Sequence, residues 1–287
     1  MSAPTDRLRP YRSVLYLPAS RERALEKAAG LAADAIIFDL EDAVAVEEKA
    51  RARELLRRTL AERGYGARAR IVRVNGLDTD WGEADLAAFR DADVEAILVP
   101  KVSAPEDLDA VARLVPRIPL WAMMETARGI LAAAAIAAHP RLAGMVMGTN
   151  DLAREIGGRF RPDRLPMQAA LGLCLLAARA HGRVIVDGVY NAFRDAEGLR
   201  AECEQGRDMG FDGKTLIHPD QIATANAVFA PSAAEIDLAR RQIDAFEAAR
   251  REGQGVAVVD GRIVENLHVE IARQTLARAE AIARMAQ

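Results

Sequence analysis

Eight short runs rich in Val, Ile and Leu recur along this chain, each followed by a longer amphipathic stretch, and that rhythm limits the fold more than any other feature. The runs are Ser13–Leu17, Ala35–Asp39, Arg70–Val74, Ala96–Pro100, Leu120–Met124, Gly144–Met147, Arg183–Asp187 and Lys214–Ile217. They are nearly continuous in apolar residues instead of alternating, the pattern of parallel strands covered on both faces. Helical periodicity fills the gaps, for example over Arg21–Leu31, Glu47–Arg63, Pro105–Leu114 and Ala127–Ala138. Strand and helix alternating eight times predict an α/β fold of the (β/α)8 TIM-barrel type. An open doubly wound sheet is the competing architecture, but no G-x-G-x-x-G follows the first run and no P-loop occurs.

The last part of the chain breaks the rhythm. Gly255-Val-Ala-Val-Val259, Asp260-Gly261 and Arg262-Ile-Val264 read as a β-hairpin with a two-residue Asp-Gly turn. Asn266 is then expected to cap a final helix running to about Met285. The sequence therefore predicts a barrel domain over residues 1–250 and a hairpin-plus-helix segment over 251–287 that packs beneath the barrel or covers a mouth, its own or a neighbour's.

Composition excludes several function classes. A chain of 287 residues with 51% hydrophobic and 28% charged residues suits one large soluble domain, and a net charge of −3 with no basic block offers no general attraction for nucleic acid. The most apolar helical stretch, Gly129–Ala138, is about half as long as a membrane span requires. Met1–Pro10 is polar, without the apolar core of a signal peptide, and Cys174 and Cys203 lack metal-type spacing, so a cytoplasmic protein is expected.

Barrel active sites lie at the carboxyl ends of the strands, and that is where this chain keeps its polar residues. Asp39, Glu41 and Asp42 follow the second run; Arg73, Asn75 and Asp78 the third; Lys101 the fourth. Glu125 follows the fifth and Asp151 comes just past the sixth, while Asp187 ends the seventh and Lys214 to His218 span the eighth. One such residue is commonly a solvated loop residue, and Asp151 could simply cap the next helix. Acids or bases at six or more strand ends are harder to account for that way. Crowded carboxylates raise one another's pKa unless a cation neutralises them. An oxygen-only site containing Glu125 and Asp151 suits Mg²⁺, with Mn²⁺ as a substitute, since Mg²⁺ keeps several waters and takes one or two carboxylates plus substrate oxygens. The four histidines are scattered and no G-x-S-x-G elbow is present, which argues against zinc and a serine nucleophile.

These motifs together resemble the citrate lyase β-subunit-like (CitE-like) family of the HpcH/HpaI aldolase and malyl-CoA lyase superfamily. The resemblance rests on Arg12-Ser-Val-Leu-Tyr-Leu-Pro18, Phe38-Asp-Leu-Glu-Asp-Ala-Val44, Lys49, Arg73-Val-Asn-Gly-Leu-Asp78, Pro100-Lys101, Glu125, Asp151 and Gly210-Phe-Asp-Gly-Lys-Thr-Leu-Ile-His-Pro219. It implies a Mg²⁺-dependent barrel enzyme, usually a homotrimer or a dimer of trimers, acting on a CoA thioester. By resemblance, Glu125 and Asp151 are the metal ligands and Arg73 holds the thioester oxygen. Arg21 and Lys27 match positions that contact CoA phosphates, and Glu41, Asp42 and Lys49 support the metal waters and the substrate carboxylate. Glu265 stands where the family has an acid, usually Asp, on a lid that closes over the neighbouring subunit's site. Two further departures are Pro18-Ala19-Ser20 where many relatives have Pro-Gly, and Asn150-Asp151 where several have Glu-Asp.

The resemblance implies retro-Claisen cleavage of a 3-hydroxyacyl-CoA (citramalyl-, malyl- or citryl-CoA) to acetyl-CoA and a 2-oxo acid, with citramalyl-CoA the expected ester. Arg73 would stabilise the enolate and Glu265 protonate it; a metal-bound water and Asp42 both remain open as the base. The alternatives are a malyl-CoA-type thioesterase working in the same site, and a citrate lyase complex subunit acting on a carrier-bound citryl group. The aldolase branch of the superfamily typically carries a loop histidine after the second strand, and Phe38–Val46 has none.

Overall fold

The computed structural model describes residues 9–285, so most of the polar 1–10 stretch lies outside the described residues. Eight parallel strands close on themselves in chain order: β1 (Ser13–Pro18), β2 (Ala35–Asp39), β3 (Ala69–Arg73), β4 (Ala96–Val99), β5 (Leu120–Met124), β6 (Leu142–Met147), β7 (Val184–Asp187) and β8 (Gly213–Leu216). β8 returns to pair with β1, Ser13 opposite Lys214 and Leu15 opposite Leu216, which completes the predicted TIM barrel. The strand bounds differ from the sequence reading by a residue or two, the usual uncertainty of an element end. The apolar stretch Ala127–Ala138 is two short helices, Ala127–Leu131 and Ala133–Ala137, interrupted at Ala132.

Alternation along each strand sorts the core into two layers. Val14, Ile37, Ile71, Leu98, Met123 and Val146 fill the barrel interior. Leu15, Ile36, Val72, Ile97 and Met145 face outward under the helices, packed with Leu25, Leu56 and Leu86. Both faces are buried, which is why the sequence runs are continuously apolar. The inward row also decides which strand-end residues point over the barrel mouth. Asp39 continues the row Ala35–Ile37, Arg73 continues Ala69–Ile71, and Glu125 continues Trp121–Met123.

The chain divides into two compact units, one spanning Tyr11–Phe229 and one formed mainly by residues from Ala230 onward. The division falls earlier than the boundary after residue 250 expected from periodicity. The reason is that the helix Ala233–Arg251 packs on the final helix, Asn266–Met285, and on the hairpin strand β9 (Ala257–Val259). β9 pairs antiparallel with β10 (Arg262–Val264) across Asp260 and Gly261, both with positive φ (50° and 74°), as a two-residue turn of this kind requires. Asn266 is the first helical residue rather than a cap: its side-chain Nδ2 donates to Glu270 Oε1 (2.9 Å), while the Glu265 carbonyl accepts from the N–H of His268 and Val269. Among the described residues no helix is long and apolar enough to cross a membrane.

Candidate active site

A cavity of about 290 Å³ opens at the carboxyl ends of the strands, and Asp42, Arg73, Glu125 and Asp151 all line it. Its centre is an anchored arginine. Arg73 Nε and Nη2 donate to the two oxygens of Asp39 at 2.7 and 2.6 Å, a bidentate arrangement that fixes the plane of the guanidinium. Arg73 Nη1 lies 2.7 Å from Glu41 Oε2 and 3.7 Å from Asp42. The Tyr16 ring sits 5.0 Å from the guanidinium carbon. Of the five N–H donors an arginine carries, Asp39 engages two, while Glu41 contributes an ion pair without a hydrogen bond. Burial works against the charge on Arg73, but Asp39, Tyr16 and Glu41 outweigh it and hold its pKa well above the ordinary value.

Asp39 is also what orders the loop after β2. Its Oδ1 accepts the Glu41 N–H (2.9 Å) and its Oδ2 the Ala43 N–H (3.1 Å). From behind, Lys49 Nζ donates to the carbonyls of Leu40 (2.9 Å) and Glu41 (2.7 Å) and sits over the Trp81 ring. Lys49 is therefore a buried pin for the loop that carries Glu41 and Asp42. Glu41 is buried and reaches Lys101 Nζ at 3.0 Å. Burial raises its pKa, partly offset by Arg73. Asp42 is different: its side chain is 61% exposed, which leaves it available to a ligand.

Glu125 is held from two sides. The Lys101 N–H donates to its Oε1 at 2.8 Å, and Lys101 adopts φ 52°, a left-handed conformation uncommon outside glycine. On the other side Gly148 leaves room for the carboxylate, since a Cβ there would overlap Glu125 Cβ and lie 2.6 Å from Oε2. Burial, with Glu41 and Asp151 adding repulsion, pushes Glu125 up to about 7. Asp151 stands in the first turn of the helix Thr149–Glu155, where Gly148, not Asp151, occupies the cap position. Its only ion pair among the described residues is with Arg154 at 3.0 Å.

Five carboxylates, Asp39, Glu41, Asp42, Glu125 and Asp151, thus surround this mouth against Arg73 and Lys101. Among the described residues no three His, Cys, Asp or Glu side chains form a metal cage. Two carboxylates on one cavity, with surplus negative charge around them, fit a hard divalent ion that keeps waters and accepts substrate oxygens.

Other sequence candidates fall elsewhere. Asp187 and Lys214 lie on the outward side of β7 and β8, where Lys214 Nζ contacts Asp187 (3.1 Å) and Glu202 (2.7 Å), and Arg164 Nη1 contacts Asp187 (2.6 Å). Burial opposes the charge on Asp187, but Lys214 and Arg164 keep it below the usual carboxylate range. This is a buried network between strand and helix, not part of the mouth. Asn75 turns to Leu40 O and Asp85. Arg21 directly precedes the helix Glu22–Ala28 and Lys27 lies in its last turn, both exposed and without an ion pair among the described residues. Six helical residues put them about 9 Å apart along the axis and about 120° apart around it. Glu265 is exposed, immediately after β10 in the second unit. The sequence reading gave no role to Asp39, Tyr16 or Lys101; the register would have found the first, because Asp39 and Arg73 are direct partners across β2 and β3.

The sequence pattern of the HpcH/HpaI aldolase/citrate lyase family matches residues 12–219. The chain belongs to this family. Family membership makes it an enzyme and agrees with the motif-based resemblance. One relative, a (3S)-malyl-CoA thioesterase of Cereibacter sphaeroides, is 76% identical over 274 residues, covering 96% of both chains. A second, an L-malyl-CoA/β-methylmalyl-CoA lyase of the same species, is 34% identical, covering 97% of this chain and 98% of that one. Among solved structures of the family, the CitE protein of Mycobacterium tuberculosis in complex with magnesium, acetoacetate and coenzyme A superposes with a TM-score of 0.80 at 33% identity, covering 95% and 99% of the two chains.

Proposed function

We propose that the protein hydrolyses a malyl-CoA-type 3-hydroxyacyl thioester, releasing free CoA and the hydroxy acid. The observation that carries this reading is the 76% identity to a (3S)-malyl-CoA thioesterase over nearly the whole chain, against 34% to a malyl-CoA lyase. It reverses the order expected from the motifs, which put carbon–carbon cleavage first. Both reactions act on the same thioester, so the site geometry serves either.

Glu125 and Asp151 would hold Mg²⁺, which supplies Lewis-acid polarisation and orients the substrate's oxygens. Arg73, rigid because Asp39 grips it, has N–H donors left for the thioester oxygen as negative charge develops there. One such preorganised donor commonly contributes about 3–4 kcal/mol. Asp42 is the candidate base: it removes a proton from water as the water oxygen bonds to the thioester carbon. The C–S bond then breaks, and the CoA thiolate takes up a proton. Arg21, next to the end of β1, is the stronger of the two basic candidates for a CoA phosphate, Lys27 the weaker.

The second reading is C–C lysis, supported by the CitE structure with acetoacetate and coenzyme A. There Asp42 would take the hydroxyl proton, Arg73 would stabilise the enolate oxygen, and Glu265 from a neighbouring copy in a homotrimer or hexamer would protonate the enolate carbon. The test is product analysis with (3S)-malyl-CoA: free CoA plus malate supports hydrolysis, whereas acetyl-CoA plus glyoxylate supports lysis.

A further inference from the structure

A second cavity, of about 500 Å³, lies beside the first, between the segments that follow β6 and β7, and shares the residues Thr149 and Val189 with it. We propose that it is a binding site for a small carboxylic acid with an apolar chain. Its volume falls within the roughly 300–1,000 Å³ typical of small-molecule sites.

The acids lining this cavity are already engaged: Asp195 accepts the Tyr190 O–H (2.6 Å) and the Gly198 N–H (3.0 Å), and Glu202 pairs with Lys214 (2.7 Å). Arg161 is occupied by a bidentate contact to Asp163. One cationic group is left over. Arg159 is exposed and has no ion pair among the described residues. Arg164, its side chain only 6% exposed, is paired with Asp187 through Nη1 and bonded to Gln205 through Nε, while its buried Nη2 has no acceptor among the described residues. A buried guanidinium N–H without an acceptor is costly to keep. Arg164 also holds φ 52°, ψ 26°, a left-handed conformation that persists only where the surroundings impose it. The group left without a partner of opposite charge is therefore the Arg159 guanidinium, which an anion satisfies. The remaining wall, with Ala153, Phe160, Met167 and Val189, is apolar and favours a hydrocarbon body over a bare inorganic anion.

The test is calorimetric titration of the intact protein with hexanoate and, separately, with inorganic phosphate. Ala201 lines the cavity and carries no catalytic role. Wild type and Asp151→Ala are expected to bind hexanoate alike, Arg159→Ala about tenfold more weakly, as befits loss of one charge-assisted contact, and Ala201→Trp not at all while keeping thioester turnover. Phosphate is expected to bind at least tenfold more weakly than hexanoate. Absence of hexanoate binding to wild type, equal binding to Ala201→Trp, loss of binding in Asp151→Ala, or phosphate binding as tightly as hexanoate would each overturn the proposal.

Discussion

Asp39 and Arg73 are register partners on adjacent strands, and the Asp39 carboxylate takes two guanidinium N–H groups of Arg73 at 2.7 and 2.6 Å. The same carboxylate accepts the backbone N–H of Glu41 and Ala43. One buried acid thus sets both the electrophilic arginine and the loop that carries Asp42.

Asp39→Ala leaves Arg73 buried with only Glu41 and, at 3.7 Å, Asp42 beside it. Removing one partner of a buried pair costs about 3–5 kcal/mol, so the urea midpoint should fall by that equivalent. Turnover should drop by about 10²–10³-fold, the order seen when one oxyanion donor is lost, because Arg73 is no longer held.

Gly148→Ala tests how Glu125 is seated. A methyl group there overlaps the Glu125 side chain, and relieving it moves the carboxylate. A fold cost of about 1–3 kcal/mol and a rise of at least tenfold in the Mg²⁺ concentration needed for half-maximal activity are expected, measured by thermal melting and metal titration. A silent substitution would show that Glu125 is not confined from this side.

The raised pKa of Glu125 gives a pH signature. The folded, metal-free protein keeps the Glu125 proton up to about pH 7, whereas the unfolded chain releases it near its ordinary value of 4.5. Glu125 therefore favours the folded state below 4.5, and that contribution is lost as pH rises through about 7. Mg²⁺ competes with the same proton, so the increase in Tm caused by Mg²⁺ should be larger at pH 8 than at pH 6. Differential scanning fluorimetry with and without EDTA measures it.

Lys214→Met separates fold from chemistry. It strips a cation from the buried Asp187–Glu202 network and should destabilise by about 3–5 kcal/mol, with KM for the thioester unchanged in the protein that remains folded. A change in KM would bring this network into the site.

The sequence made the barrel legible because strands buried on both faces leave continuous apolar runs, and it marked Glu125, Asp151 and Arg73 by their position after such runs. It did not separate Asp187 from Glu125, although both end a strand. Side-chain parity does: Glu125 follows the inward row through Met123, whereas Asp187 alternates outward from Val186 toward Arg164 and Glu202. Lys49 was opaque for another reason, since its partners are backbone carbonyls brought near by the loop after β2. Arg164 carries no local signal at all; its left-handed turn and its reach to Asp187 exist only in three dimensions. The helix Ala233–Arg251 has the same periodicity as a barrel helix, and only its packing on the final helix groups it with the second unit.

The most direct measurement is the product released from (3S)-malyl-CoA by the purified protein, with Mg²⁺ and with EDTA, for wild type and Asp151→Ala. The account predicts free CoA and malate from wild type with Mg²⁺, and neither with EDTA nor from Asp151→Ala. Acetyl-CoA and glyoxylate in place of free CoA, or undiminished hydrolysis by Asp151→Ala, would contradict it.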